Sequence, residues 1–464
     1  MIDLSPLKKD FGAKALYIVG LGKSGLPVFD ACTRAGIPTL LWDDGDAGRA
    51  AAVEKGGVLC APDRVDFGQV AALCLSPGIP LTHPAPHASV ILAESAGVQV
   101  LGDIELFHRA MPDVKTIGIT GTNGKSTTTA LIGHVLTACG VTSAVGGNIG
   151  EAVLTLPSLP EASTYVLEMS SYQLDLCPGF RPDIGVFINI SPDHLDRHGS
   201  MDGYIAAKKK IFSDTNIPVI GVDDPWSREV FADISARNPG AIAVSCETPQ
   251  PGGIFVDTDG LMHDRGDAVF SLAGFTRLKG RHNWQNAALC YAAMRMHGLQ
   301  AGDIQKAFDS FSGLAHRQML VAEISGVSYV NDSKATNDQA AAMALKTFKP
   351  VYWIAGGKDK GAGYTDCEKH FDRIRHAYLI GIDTDALAVA LTRNKVPFTR
   401  CGTMDVAVAA AHRDAQREQL RGACVLLSPA CASFDQFRSF EHRGDVFCTL
   451  VKNLKDPRKK GTAA

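Results

Sequence analysis

The stretch Gly121-Thr122-Asn123-Gly124-Lys125-Ser126-Thr127 constrains this chain more than any other. It follows an apolar, β-branched run, Val114 to Thr120, and precedes a helical pattern from Thr127 to Cys139. Strand, glycine loop and helix form the geometry that cradles a nucleotide polyphosphate, because backbone N–H groups and the helix N-terminus then face the anion. Lys125 has the reach for terminal phosphates, and the Ser126 hydroxyl can ligate Mg²⁺. The pattern G-x-x-x-x-G-K-[ST] is broken at one place. Its first glycine falls on Ile119, and Gly121 follows two residues later. Both flanks are present, so the stretch reads as a phosphate loop rather than a chance glycine–threonine turn.

Such a loop belongs to an α/β sheet, and the 464 residues suffice for about three domains of ~150 each. With 45% hydrophobic and 20% charged residues the chain has the makeup of a globular protein. A formal net charge of −3 gives no bulk basic surface for nucleic acid. No apolar run approaches the ~18–20 residues that span a bilayer, so no membrane insertion is expected. Met1 to Asp10 carries charges and lacks the apolar core of a signal peptide. Twelve cysteines are scattered without a C-x-x-C pair. That suits a reducing cytoplasm, with thiols as small core residues.

In the first third, a run from Leu16 to Val19 leads into Gly20-Leu21-Gly22-Lys23-Ser24-Gly25 and a helical stretch to Ala35. A second strand, Thr39 to Trp42, ends at Asp43-Asp44, an acidic pair about 20 positions on. A nicotinamide cofactor and a nucleotide-sugar diphosphate would both satisfy this fingerprint. A third strand, Ala71 to Leu75, ends in Ser76-Pro77-Gly78, a rigid turn that can bring backbone to a ligand or simply reverse the chain.

In the middle third, Gly146-Gly147-Asn148 is another close-approach turn. Thr164 to Leu167 reads as a buried strand tipped by Glu168, where a Mg²⁺-binding acid belongs beside a phosphate loop. The run from Asp183 to Ile190 ends in a dense Asp193-His194-Leu195-Asp196-Arg197-His198 cluster. A helix carries Lys208, Lys209 and Lys210, of which the last two read as a solvated face. Residues 252–273 look like an antiparallel ribbon. Asn283 and Asn286 share one face at the start of a helix, as caps or as readers of a purine edge.

In the last third, Ser312-Gly313 marks a domain boundary. Two short strands lead to Asn331-Asp332-Ser333-Lys334-Ala335-Thr336-Asn337, where Asp332 and Lys334 would point the same way in an extended segment. A strand from Val351 precedes Gly356-Gly357-Lys358-Asp359-Lys360-Gly361, a turn suited to a small anion. The strand Ala423 to Leu427 precedes Ser428 to Phe437 and a helix. The small residues there are expected at a helix N-terminus, leaving room for a carboxylate. The tail from Lys455 to Ala464 is basic and small, and is expected to fray. Repeated strand–helix units imply three α/β domains with mostly parallel sheets.

Together these motifs resemble the Mur ligase family, ATP-dependent amide ligases of peptidoglycan assembly. The hallmark is Thr120-Gly121-Thr122-Asn123-Gly124-Lys125-Ser126-Thr127, which accounts for the departure at Ile119. The resemblance covers nearly the whole chain. Residues 331–337 and 428–444 look like the member that adds D-glutamate. The implied fold is a Rossmann-like domain over 1–105, a central P-loop ATPase-like domain over 106–313 and a Rossmann-like C-terminal domain over 314–464. The implied reaction phosphorylates the carboxylate of UDP-N-acetylmuramoyl-L-alanine with ATP, and the D-glutamate amine then attacks the acyl phosphate. Gly22, Lys23, Ser24, Asp43, Asp44, Ser76 and Gly78 fall where the family contacts uridine and pyrophosphate, and Asn148 where it meets the sugar–peptide portion. Gly121 to Thr127 would hold the ATP phosphates, and Lys125 with a first Mg²⁺ on Ser126 and Glu168 would serve them. A second Mg²⁺ near His194 would bridge the two reactants. Asn286 would read adenine. Arg317 and Asp332 would reach ATP, with Lys334 near the reacting centre. Thr336, Lys360, Ser433 and Phe440 fall where the family holds D-glutamate. Lys208 aligns with a carbamylated lysine that ligates metal. A monomer is expected, with the third domain closing on ATP and substrate. Three rival expectations stand beside this: a nicotinamide dehydrogenase, an ATP-binding protein of non-catalytic or motor type, and a sister ligase using another amino acid or folyl-glutamate.

Overall fold

The computed structural model describes residues 1–212, 216–275, 277–278, 280–359 and 363–454. Three sheets follow one another along the chain. The first has β1 (Ala15–Val19), β2 (Thr39–Trp42), β3 (Val70–Leu75) and β4 (Val100–Leu101) in the order β2-β1-β3-β4, all parallel. The helix Gly25–Ala35 follows β1 directly. Gly25 is required there, since a Cβ would lie 1.9 Å from the Gly20 carbonyl oxygen.

The second sheet contains β5 (Lys115–Thr120), β6 (Ser143–Gly147), β7 (Thr164–Glu168), β8 (Ile184–Phe187), β9 (Ile217–Gly221), β10 (Ile242–Ser245), β11 (Ile254–Val256), β12 (Leu261–Asp264) and β13 (Asp267–Ser271). Its order is β13-β12-β11-β10-β9-β8-β5-β7-β6. It is parallel from β6 to β11, and the ribbon β11–β13 is antiparallel as its short alternating runs imply. The strands β7 and β8 flank β5 and are buried along their whole length. Helices on both faces make such strands continuous apolar runs rather than alternating ones. The helix after the phosphate loop, Lys125–Ala138, starts two residues earlier than its apolar pattern suggests, because Lys125 and Ser126 already turn inside it.

The third sheet contains β14 (Met319–Ile324), β15 (Val327–Asn331), β16 (Val351–Gly356), β17 (Ile374–Ile380), β18 (Phe398–Gly402) and β19 (Cys424–Leu427), in the order β14-β15-β19-β16-β17-β18. Only β14 runs antiparallel to its neighbour. The fold is thus three α/β domains, Rossmann-like at both ends with a P-loop-type sheet between. Residues Met1–Phe311 and Ser312–Ala464 form two compact units, each with its own buried clusters. All twelve cysteines are free thiols. Among the described residues no helix is long and apolar enough to cross a membrane.

Two expectations in the third sheet need correction. Asp332 to Lys334 is a turn closed by Ala335 N–H on the Asp332 carbonyl, not an extended segment, so the extended-strand premise does not apply. Ser428 to Phe437 is not a helix N-terminus. The helix begins at Phe440, capped by Ser439, and Ala432 instead forms an antiparallel bridge with Lys358. The small residues serve this close backbone pairing rather than a helix dipole.

Candidate active site

The loop after β5 is held from below by the next strand. Thr122 N–H donates to the Asn189 carbonyl at 3.0 Å, and Asn123 N–H donates to Asn189 Oδ1 at 2.9 Å. The Thr122 hydroxyl lies 3.1 Å from the Tyr204 hydroxyl and accepts from Ser191 N–H at 3.1 Å. Gly124 has φ +87°, and a Cβ there would stand 2.4 Å from Asn286 Oδ1. Glycine therefore lets the loop lie on Asn286, a buried side chain of the helix Arg281–His297. That helix begins six residues before the alanine-rich run suggests, so Asn283 and Asn286 sit inside it, 3.3 Å apart. Lys125 folds back over the loop, its Nζ donating to the Gly121 and Thr122 carbonyls at 2.8 Å each.

Glu168 stands at the tip of β7 and is 2% exposed. Its Oε1 accepts from Asn148 Nδ2 at 2.7 Å, whereas its buried Oε2 has no hydrogen-bond partner. A buried, half-satisfied carboxylate is costly unless something cationic meets it. Lys208, 1% exposed on the helix Met201–Lys209, donates to the Gly121 carbonyl at 2.8 Å and to Thr120 Oγ1 at 3.3 Å, with Nζ 4.8 Å from the Tyr204 ring centre. Burial, reinforced by the Lys125 charge, holds its ammonium well below the usual lysine range, and Asp193 and Glu168 oppose that only in part. A neutral amine at this spot is a nucleophile toward CO₂. Its neighbours Lys209 and Lys210 point outward onto Asp233 and Asp175.

His194 caps the short helix Leu195–His198 with φ +53° and is exposed. Surrounding side chains still desolvate the ring in part, and this, with the Lys125 and Lys208 charges and against Asp193, holds its pKa below the usual histidine value, so the neutral imidazole can act as a ligand. It belongs to a ring cluster with Tyr172 and Tyr204 at centroid distances of 5.0 and 6.3 Å. Among the described residues no three His, Cys, Asp or Glu side chains form a metal cluster by themselves. A cation at this loop would draw on a hydroxyl (Ser126), one carboxylate (Glu168), one imidazole (His194) and a modified Lys208.

In the first sheet the glycine loop is braced from within the protein. Asp43 accepts from Leu21 N–H at 2.5 Å and from Gly45 N–H at 2.7 Å, and Ser76 Oγ donates to the Gly20 carbonyl at 2.6 Å. Gly22, Lys23, Asp44 and Gly78 are exposed, and Ser24 half-buried. Arg197 was legible only as part of the Asp/His cluster. It clamps the Ser76–Pro80 turn, donating to the carbonyls of Gly78 (3.1 Å), Pro77 (3.3 Å) and Ile79 (3.0 Å).

In the third sheet, polar residues gather at the C-terminal ends of β15, β19 and β16. Asp332 is buried, accepting from Ser428 Oγ at 2.7 Å and Gln318 N–H at 3.1 Å, and burial pushes its carboxyl up to about 7. Lys334 places its Nζ 4.0 Å from the Phe440 ring centre. Thr336, just past this turn, and Arg317 are half-buried, and Ser433 is 2% exposed. Lys360 lies outside the described residues, as does the 455–464 tail.

Residues 119–294 match the family model described as the Mur ligase middle domain. A UDP-N-acetylmuramoylalanine--D-glutamate ligase of Paramagnetospirillum magneticum is 46% identical over 97% of this chain and 98% of its own length. One from Caulobacter sp. (strain K31) is 47% identical over 97% and 99%. Among solved structures, MurF from Acinetobacter baumannii superposes with a TM-score of 0.61 at 16% identity over 97% of this chain and 99% of its own. UDP-N-acetylmuramate-alanine ligase MurC from Thermotoga maritima gives 0.60 at 14% identity over 95% and 100%, a likeness of fold. The chain belongs to the Mur ligase family, alongside the UDP-N-acetylmuramoylalanine--D-glutamate ligases.

Proposed function

We propose that the chain is the ATP-dependent ligase that joins D-glutamate to the L-alanyl carboxylate of UDP-N-acetylmuramoyl-L-alanine, releasing ADP and phosphate during peptidoglycan precursor synthesis. The observation that carries this is near full-length identity of 46–47% to relatives of that name. Family membership leaves the dehydrogenase reading of the first loop without support. Domain limits at residues 105 and 313, a monomeric state and a cytoplasmic location complete the proposal, the last in keeping with twelve free thiols.

Two anions must meet in this reaction, so charge neutralisation is the main catalytic task. Gly121 to Thr127 offer N–H groups and a helix N-terminus to the phosphates. Lys125 is poised to exchange its two loop carbonyls for phosphate oxygens. The unpartnered Glu168 Oε2 fits a divalent cation, which Ser126 would share, and His194 with a carbamylated Lys208 would hold a second. Bound there, Mg²⁺ would supply Lewis-acid withdrawal of charge from phosphoryl and carboxylate oxygens. The low proton affinity of Lys208 supports its modification, in which the neutral amine bonds to CO₂ and loses a proton. Asn286 would read adenine from beneath the loop, and Arg317, Asp332 and Lys334 would serve ATP and the reacting centre. Thr336, Ser433 and Phe440 would hold D-glutamate. Gly22, Lys23, Ser24, Asp44 and Gly78 would meet the UDP portion, with Asp43 and Ser76 acting through the loop they brace.

Phosphate release with UDP-N-acetylmuramoyl-L-alanine, ATP and a panel of amino acids tests the proposal. D-Glutamate alone should drive turnover. Turnover with L-alanine or a diamino acid instead would move the chain to a sister activity.

A further inference from the structure

Arg443, on the helix Phe440–Lys452, is 0% exposed. Its Nε donates to Ser333 Oγ at 2.9 Å, Nη2 to the Ser333 carbonyl at 2.9 Å, and Nη1 to the Cys431 carbonyl at 3.0 Å. The Ser333 hydroxyl in turn donates to the Phe440 carbonyl at 2.8 Å. One guanidinium thereby ties the turn after β15 to the turn after β19. Ser333 stands between Asp332 and Lys334, and Cys431 is two residues before Ser433.

All of these bonds end on neutral oxygens. Among the described residues no carboxylate stands at ion-pair distance from Arg443. The carboxylate it feels most, after the Cys431 thiol, is Asp435, whose Oδ2 accepts from Ile382 N–H at 3.2 Å. Burial draws the guanidinium down to about 10, which still leaves it charged at neutral pH. A buried cation without a paired anion is costly, and a neutral hydrogen-bonding side chain could tie two turns without that cost. A fixed positive charge behind a turn is useful where the ligand itself carries excess negative charge.

We propose that Arg443 is a positioning residue of the amino-acid site: it fixes the turns that present Lys334 and Ser433, and its unpaired charge favours a dianionic amino acid there. This rests on the D-glutamate reading of the proposed function. The charge acts through the intervening turns, without contact to the substrate.

Arg443→Gln and Arg443→Lys test it by steady-state kinetics, each substrate varied in turn. Arg443→Gln should raise the KM for D-glutamate about tenfold and leave the KM for ATP within about twofold. Arg443→Lys, which keeps the charge, should recover the D-glutamate KM to within about threefold of wild type. Equal rises in both KM values would reveal a tether alone, since Ser333 borders the ATP-side Asp332, and would overturn the proposal. So would an unchanged D-glutamate KM. Should Arg443→Gln fail to fold, Arg443→Lys decides: a tenfold rise despite the retained charge overturns the proposal. If the wild-type enzyme does not use D-glutamate at all, the functional reading fails instead.

Discussion

The chain contains two glycine loops of the same local design, each leaving a parallel strand and entering a helix, and they are put to opposite use by their surroundings. Around Gly20 to Gly25 the polar groups are turned onto the loop itself: Asp43 and Ser76 satisfy its backbone. Around Gly121 to Thr127 the backbone is braced too, by Asn189 and two lysines, but buried ionisable groups are left wanting. Glu168 keeps a bare buried oxygen, and Lys208 is buried with its ammonium disfavoured. The first loop is a braced rim on which a ligand can rest. The second stores electrostatic cost that a polyphosphate, a metal and a modified lysine would relieve. Local sequence sets the shape of such a loop, whereas distant side chains set its chemistry.

The contrast breaks most sharply at Lys208. Lys208→Ala should lower kcat by ~10²–10³-fold, the scale of losing one charge-stabilising group in a water-excluded site. Short carboxylic acids added to the assay should restore part of it by standing in for the carbamate. Full activity of the unsupplemented variant would remove Lys208 from the metal site and make the two loops more alike than proposed.

Much of this was legible in the sequence because strand tips and glycines announce themselves. Glu168 could be placed at the end of a buried strand from Thr164 to Leu167 alone, and the strand has those bounds to within a residue. The braces could not be read, since Asp43 meets Leu21, and Arg197 meets Gly78, across separations that no local pattern encodes. Asn189 beneath the phosphate loop was missed, although a polar residue just past β8 was the available signal. Ser428 to Phe437 reads as a helix start because small residues suit both a helix N-terminus and the close backbone bridge that the structure has instead. Arg443 gave no signal of burial, since an arginine on a helix is ordinarily solvated.

A paired measurement sharpens the comparison at a smaller scale. Asn148 orients Glu168 at the second loop as Asp43 orients Leu21 at the first. Asn148→Ala should weaken the apparent Mg²⁺ affinity about tenfold, as losing the hydrogen bond that orients a metal ligand does. Asp43→Ala should leave Mg²⁺ dependence unchanged and instead raise the KM for the UDP-sugar a few-fold, at a cost of about 1–2 kcal/mol in stability for the backbone N–H groups it abandons. Titrations of activity against Mg²⁺ and of stability against urea separate the two. A Mg²⁺ effect from Asp43→Ala would erase the distinction between rim and reaction centre.

The smallest expected effect concerns stability and runs opposite to activity. With its folded-state pKa depressed by burial, Lys208 stabilises the fold least at the pH values where the unfolded chain is protonated and the buried amine resists a proton. Stability linked to this group is therefore present above the unfolded value of 10.5, and is lost as pH falls from there toward the folded-state value. Lys208→Met removes the dependence. In buffer stripped of CO₂ the methionine variant should melt a few degrees above wild type at neutral pH, and the two should converge as pH rises toward about 10. Adding bicarbonate should raise the wild type alone, because CO₂ bonds to the neutral amine that only the folded chain presents at neutral pH. A methionine variant that melts below wild type at neutral pH would mean that the buried lysine's hydrogen bonds to Gly121 and Thr120 outweigh its desolvation, and the second loop would then be as well braced as the first.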